Sequence, residues 1–155
     1  MTKVRISAFA LALSLSTVAQ LAAGASLSAQ TAPITRSVSS APQWGPCPAI
    51  FPAGCQIAVL NGDPSKPNAD VFLRVPGGYT LPAHAHTSAE RMILVEDQLT
   101  VVYNCAPAAI LNPGQYAYGP ANLPHEARCK GGKSCTLFIA FEGPVDAIPF
   151  VGSLK

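Results

Sequence analysis

Short apolar runs separated by turn-forming residues fill the chain from about residue 57 to residue 141. Ile57–Leu60 is followed by Asn61-Gly62-Asp63-Pro64, and Val71–Val75 by Pro76-Gly77-Gly78. Met92–Val95, Leu99–Tyr103, Gln115–Tyr118 and Thr136–Phe141 continue the series, with breaks at Pro113-Gly114 and Gly119-Pro120. The runs are rich in Val, Ile, Leu, Phe, Tyr and Thr, whose branched or aromatic side chains fit a pleated, half-buried surface. Their length and spacing predict an all-β domain, a sandwich or a barrel. No window sustains a 3.6-residue apolar repeat, so little helix is expected. Pro46, Pro48 and Pro52 exclude a regular helix from Trp44 to Cys55, because each proline removes a backbone donor.

The N-terminus follows a different pattern. Lys3 and Arg5 precede an uncharged apolar stretch from Ile6 to about Ala25, with small residues at Ala23 and Ala25. That order predicts a cleavable secretory signal peptide over residues 1–25, cut after Ala25 or alternatively Ala29. A membrane anchor fits less well, since Ser, Thr and Gln interrupt the stretch and no basic cluster follows it. The Ser-, Ala- and Thr-rich segment 26–43, with Pro33 and Pro42, predicts a flexible arm. Residues 44–155 are then one domain with one core.

Export changes how charge and cysteines are read. Lys3 and Arg5 account for two of the 10 basic residues, and residues 1–25 hold no acid, so 8 basic residues balance 8 acidic ones thereafter. A neutral chain without a basic run offers no footprint for nucleic acid or for an anionic membrane. All five cysteines lie beyond the leader, in the periplasmic or secreted environment where disulfides persist. Cys129 and Cys135 flank a short loop, and Cys47 and Cys55 bracket a proline-rich one. Both are candidate pairs, although other pairings are open. Five is odd, so at least one thiol is free or pairs between chains. No C-x-x-C spacing supports a cysteine metal site.

The three histidines carry the chemistry. His84 and His86 are two apart in an extended segment, so both rings point to one face while Ala83 and Ala85 point to the other. Thr87-Ser88-Ala89 turns the chain, and Glu90 opens the next strand on the face of Met92 and Leu94. A buried carboxylate without a partner or a metal is costly. His125, after the turn at Gly119-Pro120, supplies a fourth ligand. Three nitrogens and one oxygen in an apolar interior suit one divalent ion (Mn, Fe, Ni, Cu or Zn) with positions left for water or substrate. Arg91 alternates away from this face, as does Glu126. Met92, Leu94, Leu137 and Phe141 are expected to pack in the core, with a place in the pocket lining as the alternative. Tyr116 and Tyr118 are expected as core aromatics with hydroxyls at the rim. No residue is singled out as catalytic.

These residues resemble a known pattern. Gly78-x5-His84-x-His86-x3-Glu90 is similar to the first cupin motif, and Gly114-x5-Pro120-x-Asn122-x2-His125 to the second. The likeness spans roughly residues 56–142. Gly62-Asp63-Pro64-Ser65-Lys66-Pro67 also resembles small cupins of the anti-sigma-factor type. Asp97 stands where the first motif usually ends in glycine, Asn122 where the second has glycine, and Cys129 where it often has asparagine. The resemblance implies a double-stranded β-helix, or jelly-roll barrel, often dimeric, with His84, His86, Glu90 and His125 as ligands to one metal ion. It implies either a metal-dependent enzyme, dioxygenase-like or an isomerase, acting on a small organic molecule, or a non-catalytic metal-holding binding or sensor module. A purely structural metal is a third possibility, and the fold by itself does not choose among them.

Overall fold

The computed structural model describes residues 43–155, so the expected leader and nearly all of the expected arm lie outside the described residues. Eleven strands are described: β1 Gly45–Pro46, β2 Gln56–Asn61, β3 Asp70–Val75, β4 Thr80–Ala85, β5 Glu90–Glu96, β6 Leu99–Tyr103, β7 Ala109–Leu111, β8 Tyr116–Gly119, β9 His125–Cys129, β10 Cys135–Phe141 and β11 Ile148–Pro149. They form two antiparallel sheets, ordered β1-β2-β3-β10-β5-β8 and β11-β4-β9-β6-β7, and no helix occurs among the described residues. This is a jelly-roll barrel.

Period-two alternation explains why these segments are strands. Along β5, Glu90, Met92 and Leu94 are buried while Arg91 and Ile93 are exposed. In β10, Leu137, Ile139 and Phe141 point inward, and Val71, Leu73 and Val75 do so from β3. Phe72 belongs to the opposite face. It is covered by Trp44, stacked at 6.4 Å, and by Phe138, edge-on at 6.4 Å, while the Arg74 guanidinium lies 4.1 Å over the Trp44 ring. The stretch around Trp44 is thus fastened to the outside of the larger sheet.

Two disulfides, Cys47–Cys55 and Cys129–Cys135, close the loops that the spacing singled out, and Cys105 is a free, exposed thiol. The positions where the cupin pattern has glycine keep a glycine-like backbone. Asp97 has φ 63° and Asn122 φ 61°, both left-handed, a conformation that short polar side chains tolerate. The Asp97 carboxylate also accepts the Lys133 N–H at 3.3 Å, tying its turn to the neighbouring hairpin.

Candidate metal centre

His84, His125 and Tyr103 lie side by side on the inner face of the smaller sheet. His84 pairs with His125 across β4 and β9, and His125 with Tyr103 across β9 and β6. A register shift between Leu81 and His84 adds one residue to β4 at Pro82-Ala83. Without that bulge, strict alternation would send either Leu81 or the histidines outward; with it, Leu81, His84 and His86 are all buried inside. Pro82 suits the spot because it has no N–H to give to the ladder.

Glu90 approaches from the facing sheet. Its Oε2 lies 3.5 Å from His86 Nε2 and its Oε1 3.3 Å from His125 Nε2. Ring centroids are 4.3 Å apart for His84–His125, 4.9 Å for His84–His86 and 5.3 Å for His86–His125. One nitrogen from each ring lies within 4.8 Å of the others, a spacing at which a single ion can be shared. A second cluster, Asp97 with Cys129 and Cys135, offers no thiolate because the two cysteines are disulfide-bonded.

Hydrogen bonds set which nitrogen faces the centre. The Nδ1–H of His84 goes to the Pro82 carbonyl at 2.7 Å, that of His125 to the Leu123 carbonyl at 3.2 Å, and that of His86 to the Asp146 carbonyl. This tautomer is assigned from the network, since only an N–H can bond a carbonyl. All three Nε2 lone pairs are left for the interior, the arrangement that outer partners impose on ligating histidines.

Burial also keeps the rings neutral. It lowers His84 to about 4 and His125 to about 3, more than the Pro82 and Leu123 carbonyls raise them, and it lowers His86 as well. The same burial raises Glu90 to about 8. The contacts between Glu90 and the two rings are therefore not ion pairs at neutral pH in the metal-free protein. Glu90 is 2% exposed, and its Oε1 has no hydrogen-bond partner. Such an orphan beside three neutral nitrogen donors fits a divalent cation, which supplies the missing partner and favours the carboxylate form.

The polar cluster opens on a cavity of about 50 Å³ walled by Phe51, Leu81, Met92, Leu99, Val101 and Phe141 among others. Among the described residues neither Lys nor Arg lines it, and Glu90 and Asp146 are its only acidic groups. All four of Met92, Leu94, Leu137 and Phe141 pack in the core, and Met92, Leu137 and Phe141 also form part of the cavity wall. Arg91 points outward to Glu142, as anticipated. The tyrosines require a correction: Tyr116 and Tyr118 are exposed on the edge strand β8. Ala117 and Gly119 take the alternating positions instead, and a Cβ at Gly119 would meet Glu90 Cγ and Oε1 at 2.7 Å, so the side chain of Glu90 fills the space inside.

Two residues near the centre were not anticipated. Tyr103 tilts against His125 at 5.1 Å with a buried hydroxyl that has no partner, and burial together with the Glu90 carboxylate keeps that phenol protonated. Its signal was available, since it continues the inward series Leu99, Val101. Asp146 holds His86 from 60 residues away, and nothing local announces that contact.

Known proteins share this architecture. No protein-family profile matches the sequence, and no curated protein matches it. Solved structures do. The polyketide cyclase RemF from Streptomyces resistomycificus superposes with a TM-score of 0.62 at 17% identity, over 77% of this chain and 87% of that one. An RmlC-like cupin from Shewanella frigidimarina gives 0.56 at 16% identity, over 71% and 92%. The chain has the cupin fold. The DMSP lyase DddQ from Ruegeria pomeroyi gives 0.60 at 19% identity, over 70% of this chain and 60% of the lyase. The chain thus spans less than two thirds of that relative's length, and at these identities the likeness concerns architecture alone.

Proposed function

We propose that this cupin holds one divalent metal ion through His84, His86, Glu90 and His125 and uses it on a small, uncharged organic molecule. The observation that carries the reading is the buried Glu90 carboxyl group, whose Oε1 has no hydrogen-bond partner and whose two oxygens lie 3.5 Å from His86 Nε2 and 3.3 Å from His125 Nε2. A bound ion would supply Lewis acidity and, if it is Mn, Fe, Ni or Cu, one-electron chemistry of the kind an oxidoreductase such as a dioxygenase needs. The chain's own residues orient the ligands and exclude water. The walls are mostly apolar, and no Lys or Arg among the described residues lines them to meet a substrate carboxylate. All three histidines serve as ligands, so no imidazole is left over as a general base. The buried Tyr103 hydroxyl, beside His125, is left free to donate a hydrogen bond.

A second reading, a non-catalytic metal-holding binding or sensor module, is favoured by the size of the cavity. About 50 Å³ is well below the roughly 300–1,000 Å³ of ordinary ligand pockets. Export is part of the proposal too: the two disulfides fit an oxidising compartment, periplasmic or extracellular.

Metal analysis of the purified chain and of His84→Ala separates these readings. Near one equivalent of a redox-active metal, lost in the variant and accompanied by O2 uptake with neutral small substrates, supports the enzyme. One equivalent of zinc without turnover supports the binding module. No metal in the wild type overturns the proposal.

A further inference from the structure

Two of the three histidines are aligned by their own strands. His84 and His125 each donate Nδ1–H to a carbonyl two residues earlier, so their orientation is set as β4 and β9 form. His86 is different. Its Nδ1–H goes to the Asp146 carbonyl, on the segment that follows β10. That segment is a strap. Val145 N–H bonds Pro64 O at 2.8 Å, Ile148 pairs with Ala85, and Phe150 N–H bonds Ala83 O at 3.0 Å. Val145, Asp146 and Ala147 all line the cavity.

Asp146 is also the residue whose side chain fastens this strap beside the ligands. Its Oδ1 accepts the Thr87 N–H at 3.1 Å, and its Oδ2 accepts the Thr87 hydroxyl. Thr87 is the residue next to His86. The carboxylate and the carbonyl of one aspartate therefore grip two consecutive residues of the ligand loop.

We propose that Asp146 is a positioning residue that latches the Val145–Ala147 strap over the cavity and, through the same contacts, aims His86 Nε2 at the centre. Release of the latch would uncover the cavity wall and free the His86 ring together, which makes access to the site and grip on the ion coupled properties. The metal arm of this inference rests on the proposed metal reading; the orientation arm does not.

The test uses the full chain with Asp146→Ala, and Asp146→Asn as the conservative variant, whose side-chain carbonyl still accepts from Thr87. In 15N-labelled, metal-free protein, two-bond proton–nitrogen spectra report the tautomer of each ring. In the wild type all three carry the proton on Nδ1. Asp146→Ala is expected to lose that signature at His86 alone, to speed amide exchange at Val145 and Phe150, and to release Co(II) to a chelator roughly 10- to 100-fold faster, the usual effect of losing an outer partner of a metal ligand. Asp146→Asn is expected to stay close to wild type. If Asp146→Ala fails to fold, Thr87→Ala removes one of the two carboxylate contacts and is expected to shift His86 in the same direction. Unchanged His86 signals and Co(II) release overturn the proposal, as does an equal change at all three rings, which would indicate general loosening. Failure of the wild type to bind Co(II) overturns the metal reading, and the ring spectra still decide the role of Asp146.

Discussion

Glu90→Gln isolates the energetic cost at the centre of the barrel. In the metal-free fold, burial raises the Glu90 carboxyl from 4.5 to about 8. A group whose folded value lies above its unfolded value binds a proton more tightly when folded. Its contribution is intact below pH 4.5 and is lost as pH rises toward 8. At about 1.4 kcal/mol per pH unit, the rise from 4.5 to about 8 sets an upper limit near 5 kcal/mol for that loss. This is a large fraction of the roughly 5–15 kcal/mol that holds a domain together. The histidines act in the opposite sense, because their lowered values weaken the fold as pH falls below 6.5. Urea unfolding in chelator at pH 5 and pH 8.5, on wild type and Glu90→Gln with disulfides intact, separates the two contributions, since the variant keeps all three rings. The wild type is expected to lose several kcal/mol relative to the variant across that interval. Adding a divalent metal at pH 8 is expected to restore the wild type much more than Glu90→Gln. Parallel stability profiles for the two proteins in chelator would refute the reasoning.

Three other perturbations probe different parts of the argument. Gly119→Ala places a Cβ 2.7 Å from Glu90 Cγ and Oε1 and is expected to weaken metal binding roughly 10- to 100-fold by displacing that ligand; unchanged affinity in a calorimetric titration would show that Glu90 yields freely. Tyr103→Phe removes a buried hydroxyl that has no partner, so thermal unfolding should show a neutral change or a gain of up to about 1 kcal/mol, whereas a clear loss would mean that the hydroxyl is bonded. Cys129→Ala with Cys135→Ala opens a loop of sequence separation 6, which loop-closure entropy values at about 2 kcal/mol in urea unfolding; in the unreduced wild type, denaturation should expose only the Cys105 thiol, and a second reactive thiol per chain would refute the pairing.

What the sequence revealed depended on whether the determinant was local. The histidine pair and the inward series of β5, which Glu90 opens, and of β10 follow from side chains alternating along a strand, so residue spacing alone placed the members of each set on one face of their own strand. Asp97 and Asn122 stood out in the sequence only as departures from glycine, and it is the structure that shows both left-handed. Tyr116 and Tyr118 were misplaced because alternation says that two residues share a face but not which face. The deciding fact is the close approach of Glu90 to Gly119, on a neighbouring strand. Short strands such as β7 and β11 were missed for a related reason, since two or three residues carry no period and pair only because longer partners template them.

The centre itself combines local and distant determinants, and the difference has a chemical consequence. His84 and His125 are oriented by carbonyls two residues away, whereas His86 is oriented by a carbonyl 60 residues on. The first two need only their own strands; the third needs the chain beyond β10 to return and lie along β4. Glu90, meanwhile, would favour its charged form at neutral pH if a cation replaced the water that burial removed. Without the strap, the Nδ1 partners of His84 and His125 would remain in place and that of His86 would be missing. The groups that strand periodicity reveals are thus not the whole of the candidate site, because one of its orienting contacts comes from the segment after β10.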